Sequence, residues 1–293
     1  MRIAVGIATR GRAAVLTEML RDLHRQLRQP DRVLVCHTVP DDIAGAAAAA
    51  PEAEFIASPP GLPRQRNAIL DAAGEDECDA VLFLDDDFLP ARDYLAVTEA
   101  VLEARPEVVV TTGTVLADGA KGPGLTVEQG RAVLARDRGA PDDPLAAHSH
   151  FNGYGCNMAV RLVPVRALGL RFDEALPLYA WYEDIDFTRA LGRHGTILRL
   201  EGARGVHLGV KAARTPGLRL GYSQVVNPVY LARKGTFPWN HALPSAARHC
   251  AINLARSLWP EPEVDRWGRF RGNMLGLWDL LRGRAAPSRI LSL

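Results

Sequence analysis

Cysteine is scarce in this sequence. The four cysteines lie far apart in a chain of 293 residues and form no CxxC pair; they are Cys36, Cys78, Cys156 and Cys250. Such spacing argues against a zinc cluster and against a framework of disulfide bonds. We therefore expect the protein to work in a reducing compartment, the cytoplasm.

Long apolar runs and a strong net charge are also missing. No run of about 18 apolar residues occurs, which predicts that no helix spans a membrane. The segment Met1–Ile7 is typical of a strand rather than of a signal peptide, because its apolar run is short and charged residues follow at once. The formal net charge of +1 gives no general preference for nucleic acid. No GxGxxG follows this first strand, which argues against a nicotinamide enzyme.

The most informative stretch is a run of carboxylates after an apolar strand. Residues 81–84 are all apolar, as expected of a strand buried on both faces of a parallel sheet, and Asp85, Asp86 and Asp87 follow. Ligands of open α/β sheets bind at the carboxyl ends of strands. Adjacent carboxylates repel one another unless water solvates them or a cation shares them. The pattern therefore indicates either a Mg²⁺ or Mn²⁺ site or an acidic, solvated turn.

Strands and helices alternate over the first 115 residues. Strands are predicted at 2–8, 32–38, 54–57, 81–84 and 108–112. The helix after the first strand has the 3.6-residue apolar period of an amphipathic helix, at Val15, Leu16, Met19, Leu23 and Leu27. This alternation predicts an α/β fold with a mostly parallel central sheet flanked by helices.

Arginines recur near the expected carboxyl edge of this sheet. Arg10 and Arg12 lie in the loop after the first strand, and Arg64 and Arg66 lie in the first turns of a helix that begins near Gly61. A helix N-terminus itself favours anions, so the second pair would suit a diphosphate. The first pair could grip a phosphate or a ribose, or could be ordinary surface charge.

The second half of the chain contributes two further polar segments. A helix is predicted to begin near Glu183, with Glu183, Asp184 and Asp186 in its first turn, where the helix dipole alone would explain the acids. Short strands at 197–200 and 204–208 follow, and His207 closes the second. A lone histidine at such a place is either a structural residue or a metal ligand.

The C-terminal residues are predicted to be helical, with a stripe of large apolar side chains. The stripe recurs at three and four residues and consists of Val264, Trp267, Phe270, Met274, Trp278 and Leu281, with arginines beside it. A basic amphipathic helix with tryptophans can lie on an anionic membrane surface. It can also pack its stripe on the catalytic domain, and we favour this second interpretation.

Taken in order, these segments resemble a known family. Their order resembles that of the family 2 glycosyltransferases of the GT-A fold, bacterial enzymes that move a sugar from a nucleotide onto a glycan. The segments that match are Thr9–Arg12, Arg66-Asn67, Leu84–Asp87, Asn157–Ala159 and Glu183–Phe187. The resemblance covers roughly residues 2–208. It implies a Rossmann-like, nucleotide-diphospho-sugar transferase fold with a catalytic domain at 1–210, divided near residue 115 into nucleotide-sugar and acceptor halves. Residues 211–293 would form a helical C-terminal extension.

The resemblance also implies roles for individual residues. Asp85 and Asp87 match the DXD motif that holds the nucleotide and a Mn²⁺ or Mg²⁺ ion, and His207 matches a further metal ligand of some GT-A enzymes. Asp184 matches the general base of the ED motif, with Glu183 before it. Residues expected to line the nucleotide-sugar site are Thr9, Arg10, Arg12, His37, Arg64, Arg66, Asp85, Asp86, Asn157 and Met158.

The expected activity is inverting sugar transfer in polysaccharide or glycoconjugate synthesis. A single base opposite the leaving group implies one in-line displacement, from a nucleotide-diphosphate sugar to a glycan, lipid-linked or small-molecule hydroxyl. Many members carry an acidic residue and a serine after the second strand, where this sequence has Cys36-His37-Thr38. The identity of the nucleobase therefore stays open. The alternatives are a metal-dependent phosphohydrolase or nucleotidyltransferase, and a non-catalytic nucleotide-sugar binding module of the same fold.

Overall fold

A computed structural model describes residues 1–75, 78–137, 139, 141, 143–211, 216–259, 261–262 and 264–293. The chain forms two compact units. Unit 1 comprises Met1–Pro60, Arg64–Arg171 and Ala190–Ala213, and unit 2 comprises Gly61–Pro63, Phe172–Arg189 and Arg214–Leu293. The division into a catalytic domain of residues 1–210 and an extension of residues 211–293 stays a prediction, and unit 2 differs from that extension by containing residues 172–189.

Four parallel strands form the first half of the sheet in unit 1. They pair in the order β3-β2-β1-β4 and are β1 (Ile3–Ala8), β2 (Arg32–His37), β3 (Glu54–Ala57) and β4 (Ala80–Asp85). The intervening helices are α1 (Ala13–Leu23), α2 (Ala46–Ala49) and α3 (Leu62–Glu75). Helix α1 buries Leu16, Met19 and Leu20 in the same apolar core as the strand residues Ile3, Val5 and Ile7. The helix-flanked, parallel arrangement predicted from the sequence is confirmed.

The second half of the sheet is mixed. Its elements, in chain order, are β5 (Phe88–Pro90), α4 (Tyr94–Ala104), β6 (Val108–Asp118), α5 (Val127–Arg136), β7 (Ala147–Ser149), β8 (Asn157–Arg161), α6 (Leu162–Ala167), α7 (Glu183–Leu191) and β9 (Thr196–His207). Strand β8 lies between β4 and β6 and is antiparallel to both, while β6 and β9 are parallel. Strands β1, β4, β6 and β9 therefore run in one direction, and their carboxyl ends lie at one edge of the sheet.

The structure departs from the predicted elements in this half. One long strand, β9, replaces the two short strands expected at 197–200 and 204–208, because pairing with β6 continues past Glu201 and Gly202 through shifts in register. Strand β6 likewise extends to Asp118 rather than ending at Thr112. The short elements β5, β7 and α6 were not predicted from the sequence.

Unit 2 is built on three C-terminal helices that pack through small residues. They are α8 (Gly217–Lys234), α9 (Trp239–Ser257) and α10 (Arg266–Leu281). A Cβ on Gly221 would overlap the backbone of Arg269, and one on Gly272 would overlap the carbonyl oxygen of Leu218. The backbones of α8 and α10 thus approach more closely than any larger side chain at these two positions allows.

Buried polar side chains link the same helices. Asn253 Nδ2 on α9 donates to Gln224 Oε1 on α8 and to Asn273 Oδ1 on α10, both at 2.9 Å. Asn273 Nδ2 donates in turn to the Gly221 carbonyl at 2.7 Å. Tyr222 donates to the buried Asp279 at 3.1 Å. Because each partner lies on a different helix, these bonds fix the register of the bundle.

The expectation that the large apolar stripe of α10 is buried is wrong. Trp267, Met274, Trp278 and Leu281 are exposed, whereas Gly268, Gly272, Asn273, Gly276 and Asp279 form the buried face. The glycines decide this orientation, because only they permit the close approach to α8. None of the helices in the described part of the chain combines the length and the apolar character that crossing a bilayer requires.

A Gly272→Ala variant should destabilise unit 2. Alanine normally stabilises a helix interior by about 0.5–1 kcal/mol relative to glycine, but the added methyl here would force α8 and α10 apart, at a cost of about 1–3 kcal/mol. All five tryptophans lie in unit 2, so urea unfolding followed by tryptophan fluorescence reports this unit.

Gly74→Ala is the matched control, since Gly74 also lies in a helix and an added Cβ there meets nothing within 4 Å. It should leave the tryptophan transition unchanged. An unchanged or raised midpoint for Gly272→Ala would contradict the close packing of α8 and α10.

Candidate functional site

The carboxyl edge of the sheet in unit 1 brings together three of the predicted residues. Asp85, Asp87 and His207 offer ligand atoms that all lie within 4.8 Å of one another. Asp85 ends β4 and His207 ends β9, while Asp87 lies two residues after the end of β4. The cluster therefore forms because parallel strands distant in sequence end at the same edge.

Asp86, the middle acid of the triplet, faces the loop after β1. It accepts hydrogen bonds from Thr9 Oγ1 at 2.8 Å and from Arg12 Nη1 at 3.0 Å. Arg12 also lies 3.4 Å from Asp87 Oδ2 and donates to the Val210 carbonyl. Thr9 and Arg12 thus lie among the acids, and Arg12 partly neutralises their combined charge, while their contact with a nucleotide stays a prediction.

Arg66 supports the same edge from α3. Its side chain is only 2% exposed, and Nη2 lies 2.6 Å from the Gly155 carbonyl and 3.3 Å from Asp85 Oδ1. Its guanidinium also sits over the ring of Phe83, 5.6 Å from the ring centroid. Arg66 therefore helps to orient Asp85, and little of the Arg66 side chain is accessible to a ligand.

Asp118 is a residue of the site that sequence reasoning missed. It ends β6, beside His207 in the sheet register, and its Oδ1 lies 2.9 Å from His207 Nδ1. Tyr154 donates to its other oxygen at 3.1 Å. This contact fixes the imidazole ring and directs Nε2 towards Asp87 Oδ1, 3.4 Å away. No motif marked Asp118, because its role depends on the pairing of β6 with β9.

The charges at this edge shift one another's ionisation. Burial alone would lower the pKa of His207, but contacts with Asp118 and with Asp87 raise it to about 10. The same contact with His207, against the effect of burial, lowers the pKa of Asp118 to about 2. Burial raises the pKa of Asp86 to about 7 despite the nearby Arg12. Without a metal, His207 is therefore an imidazolium that partly balances the acids.

The cluster has the properties of a divalent-metal site. Asp87 Oδ1 is buried and accepts no hydrogen bond from the described residues, while Asp87 Oδ2 accepts one from the Val210 amide at 2.7 Å. His207 Nε2 faces this oxygen from 3.4 Å without forming a hydrogen bond, and a divalent cation between the two would satisfy the buried carboxylate more fully. Two carboxylates and one imidazole suit Mn²⁺ and, with added water, Mg²⁺. A metal at Nε2 would displace the proton of the imidazolium.

Two more residues missed from the sequence shape the loops around the cluster. Asp42 is buried and accepts hydrogen bonds from the backbone amides of Gly11, Thr38 and Val39 at 2.7–2.9 Å. Gly11 adopts a left-handed conformation, with φ 66°. Gln65 donates to the carbonyls of Thr9 and Cys36, both at 2.9 Å. These bonds hold the ends of β1 and β2 together.

The other predicted nucleotide-sugar residues of unit 1 differ in accessibility. Arg10 and Arg64 are exposed, and His37 is half-buried at the end of β2, with Nδ1 3.1 Å from the Val39 carbonyl. Asn157 and Met158 are fully buried, and Asn157 Oδ1 accepts a hydrogen bond from Thr112. The visible role of Asn157 and Met158 is packing within the sheet, so their contact with a donor sugar stays a prediction.

The predicted catalytic acids lie in unit 2, at the N-terminus of α7. Glu183 is buried and Asp184 is half-buried, with its Oδ1 accepting a hydrogen bond from the Ile185 amide at 2.8 Å. The chain reaches them through left-handed conformations at three non-glycine residues, Leu178, Ala180 and Tyr182, with φ of 60°, 51° and 74°. Such conformations are uncommon outside glycine and tend to occur at functional sites.

Comparison with solved structures identifies the fold. S. aureus TarS, residues 1–349, is 16% identical, with 99% of this chain and 82% of that chain covered and a TM-score of 0.57. TarS in complex with UDP-GlcNAc gives 15% identity, 99% and 83% coverage and a TM-score of 0.55. The third structure is glucosyl-3-phosphoglycerate synthase from Mycobacterium tuberculosis in complex with Mn²⁺, UDP and glucosyl-3-phosphoglycerate. It is 19% identical, with 81% of this chain and 81% of that chain covered and a TM-score of 0.53.

The chain has the GT-A fold. The likeness to family 2 glycosyltransferases, expected from the order of the sequence motifs, is confirmed at the level of the fold. No protein-family model matches the chain, and no curated relative matches it. Within the GT-A fold, the Asp85–Asp87–His207 cluster lies at the carboxyl ends of the strands, where ligands of open α/β sheets bind.

An Asp118→Ala variant should weaken metal binding without removing a metal ligand. Loss of the contact to Nδ1 leaves the His207 ring free to rotate, and loss of such a supporting contact typically costs about 10- to 100-fold in metal affinity. Titration calorimetry with Mn²⁺ in the absence of nucleotide measures this directly.

The control is Asp41→Ala, which removes an exposed acid from the same unit. It should change the Mn²⁺ affinity little. Equal Mn²⁺ affinities for wild type and Asp118→Ala would show that Asp118 does not position the metal ligand.

Proposed function

We propose that this chain is an inverting glycosyltransferase, which moves a sugar from a nucleotide-diphosphate donor to a hydroxyl acceptor in bacterial polysaccharide or glycoconjugate synthesis. The observation that carries the proposal is the cluster of Asp85, Asp87 and His207 at the carboxyl edge of a GT-A sheet, in which the buried Asp87 Oδ1 has no hydrogen bond to any residue that the structure describes and lies 3.4 Å from His207 Nε2. TarS with UDP-GlcNAc, and glucosyl-3-phosphoglycerate synthase with UDP and Mn²⁺, support it, because both have this fold.

The donor end of the reaction is assigned to unit 1. Asp85, Asp87 and His207 would hold a Mn²⁺ or Mg²⁺ ion, which when bound stabilises the negative charge that develops on the leaving diphosphate. Asp86 does not join them, because Thr9 and Arg12 already occupy its oxygens. The exposed Arg10 and Arg64 are the side chains proposed to bind the diphosphate, and His37 lies on the loop proposed to border the nucleobase.

The acceptor end is assigned to Asp184. A hydroxyl is a poor nucleophile until a base removes its proton, which contributes about 10²–10⁴ in rate. Asp184 is half-buried at the start of α7, where the amide groups of a helix N-terminus stabilise a carboxylate. Glu183 is buried and is proposed to fix the backbone at this turn. A single base implies one displacement with inversion at the anomeric carbon.

Asp184→Asn should abolish sugar transfer while leaving donor binding nearly intact. The amide cannot accept the proton, so turnover should fall by about 10²–10⁴. Transfer from UDP-sugars with Mn²⁺ is followed by NMR, which also gives the anomeric configuration of the product, and donor binding is measured by calorimetry.

Glu174→Gln is the control for removal of an exposed acid from unit 2, and it should keep full activity. Loss of donor binding in Asp184→Asn, or a product with retained configuration, would contradict the assignment of Asp184. A phosphohydrolase would instead be favoured if the protein released nucleotide from many donors without transferring sugar to any acceptor, and if Asp184→Asn released nucleotide at the same rate.

A further inference from the structure

Helix α10 is oriented opposite to an ordinary surface helix of a soluble protein. Such a helix buries its large apolar side chains and exposes polar ones. Here the buried face contains glycines at positions 268, 272 and 276, a small-xxx-small pattern. The exposed face contains large apolar residues at positions 267, 274, 277, 278 and 281, with Trp267 58% and Leu281 82% exposed. Tight packing through small residues with large apolar groups outside is a pattern of helices in contact with lipid.

Helix α9 shows a second exposed apolar face. Leu243, Leu254 and Leu258 are all exposed and follow one side of the helix at intervals of eleven and four residues. Trp259, directly after the helix, is 73% exposed. Large exposed apolar side chains that recur on two helices packed together favour an interaction surface over ordinary surface. We call the exposed apolar residues of α9 and α10, together with Trp259, the tryptophan surface.

Positive charge predominates in the segment that contains the tryptophan surface. From Trp239 to Leu293 the sequence has eight arginines and four acidic residues. Asp279 is fully buried and forms ion pairs with Arg284 and Arg289, and Glu261 forms ion pairs with Arg256 and Arg266. No acidic residue at all occurs from 239 to 259. Asp265 is exposed and accepts a hydrogen bond from the Gly268 amide at the start of α10. Arginines outnumber acidic residues two to one in this segment, so its charge is mainly basic, as expected of a surface that meets anions.

Two arginines lie beside the apolar side chains. Arg271 is exposed one turn after Trp267, and the Arg282 guanidinium lies 4.1 Å from the ring centroid of Trp278. Tryptophan prefers the level of the lipid headgroups, and arginine can bind lipid phosphate while its stem covers apolar surface. A tryptophan with an arginine stacked on it would present both groups at the same depth.

We propose that the tryptophan surface docks this protein on a membrane that contains anionic lipid, with α10 lying in the plane of the headgroups. A second copy of the chain fits the surface less well. A two-fold contact brings the same patch of each copy together, so Arg271 and Arg282 would face a second set of arginines. An anionic bilayer neutralises those charges and covers the apolar side chains at once. This proposal is independent of the catalytic assignment.

The test is co-sedimentation of the full chain with vesicles, without donor or acceptor. Vesicles of phosphatidylcholine and phosphatidylglycerol in equal parts should bind the protein, and vesicles of phosphatidylcholine alone should bind it at least tenfold more weakly. Binding should also weaken with added salt, because exposed charges are screened.

Two double variants separate the apolar and the charged contributions. Trp267→Ser with Leu281→Ser removes two exposed apolar groups and should reduce partitioning about tenfold or more. Arg271→Gln with Arg282→Gln should reduce it by a similar factor on the anionic vesicles. All four residues are exposed, so circular dichroism should show an unchanged fold.

The matched controls lie in unit 1. Leu27→Ser with Val163→Ser removes exposed apolar groups, and Arg25→Gln with Arg136→Gln removes exposed charges. Both should bind as wild type does. The proposal is overturned if neither vesicle binds wild type, if the two vesicles bind it equally, or if controls and test variants lose binding alike. It is also overturned if light scattering shows that the wild-type protein is a dimer and that the Trp267→Ser, Leu281→Ser variant is a monomer.

Discussion

The concentration of negative charge at one edge of the sheet is the constraint on which unit 1 depends. The carboxylates that meet there are Asp85, Asp86, Asp87 and Asp118. They meet because β4 and β6 lie on either side of β8, run in the same direction and end at the same edge. Arg12, Arg66 and His207 offset much of this charge, yet Asp87 Oδ1 keeps no hydrogen-bond donor in the described part of the chain. A divalent cation would remove the remaining cost, which supports the proposal of a metal-assisted reaction.

The sequence predicted those features that local pattern determines. The apolar run before Asp85 and the 3.6-residue period after residue 13 predicted the parallel strands and their helices. Motif order singled out Asp85, Asp87 and His207, which the structure brings together as candidate metal ligands. Features set by pairing between distant segments were missed. Asp118 supports His207 only because β6 pairs with β9, and Asp42 matters only because the loops after β1 and β2 meet at its carboxylate. Neither residue carries a local signal.

The C-terminal helices show a different reason for error. Apolar periodicity correctly predicted α10, and the usual rule then assigned its tryptophan stripe to the interior. The rule fails because glycines at positions 221, 268, 272 and 276 and a buried Asn253–Asn273 network form an alternative interior of small and polar residues. Large side chains cannot enter such a close helix contact, so they face outward. Glycine spacing should therefore be read together with apolar spacing.

The central claim is that Asp85, Asp87 and His207 bind a divalent metal together with a sugar nucleotide. Anomalous diffraction from crystals grown with Mn²⁺ and UDP tests this most directly. We expect a manganese peak within coordination distance of Asp87 Oδ1 and His207 Nε2, with the diphosphate completing the coordination. A manganese peak elsewhere, or UDP bound with no metal at this cluster, would contradict it.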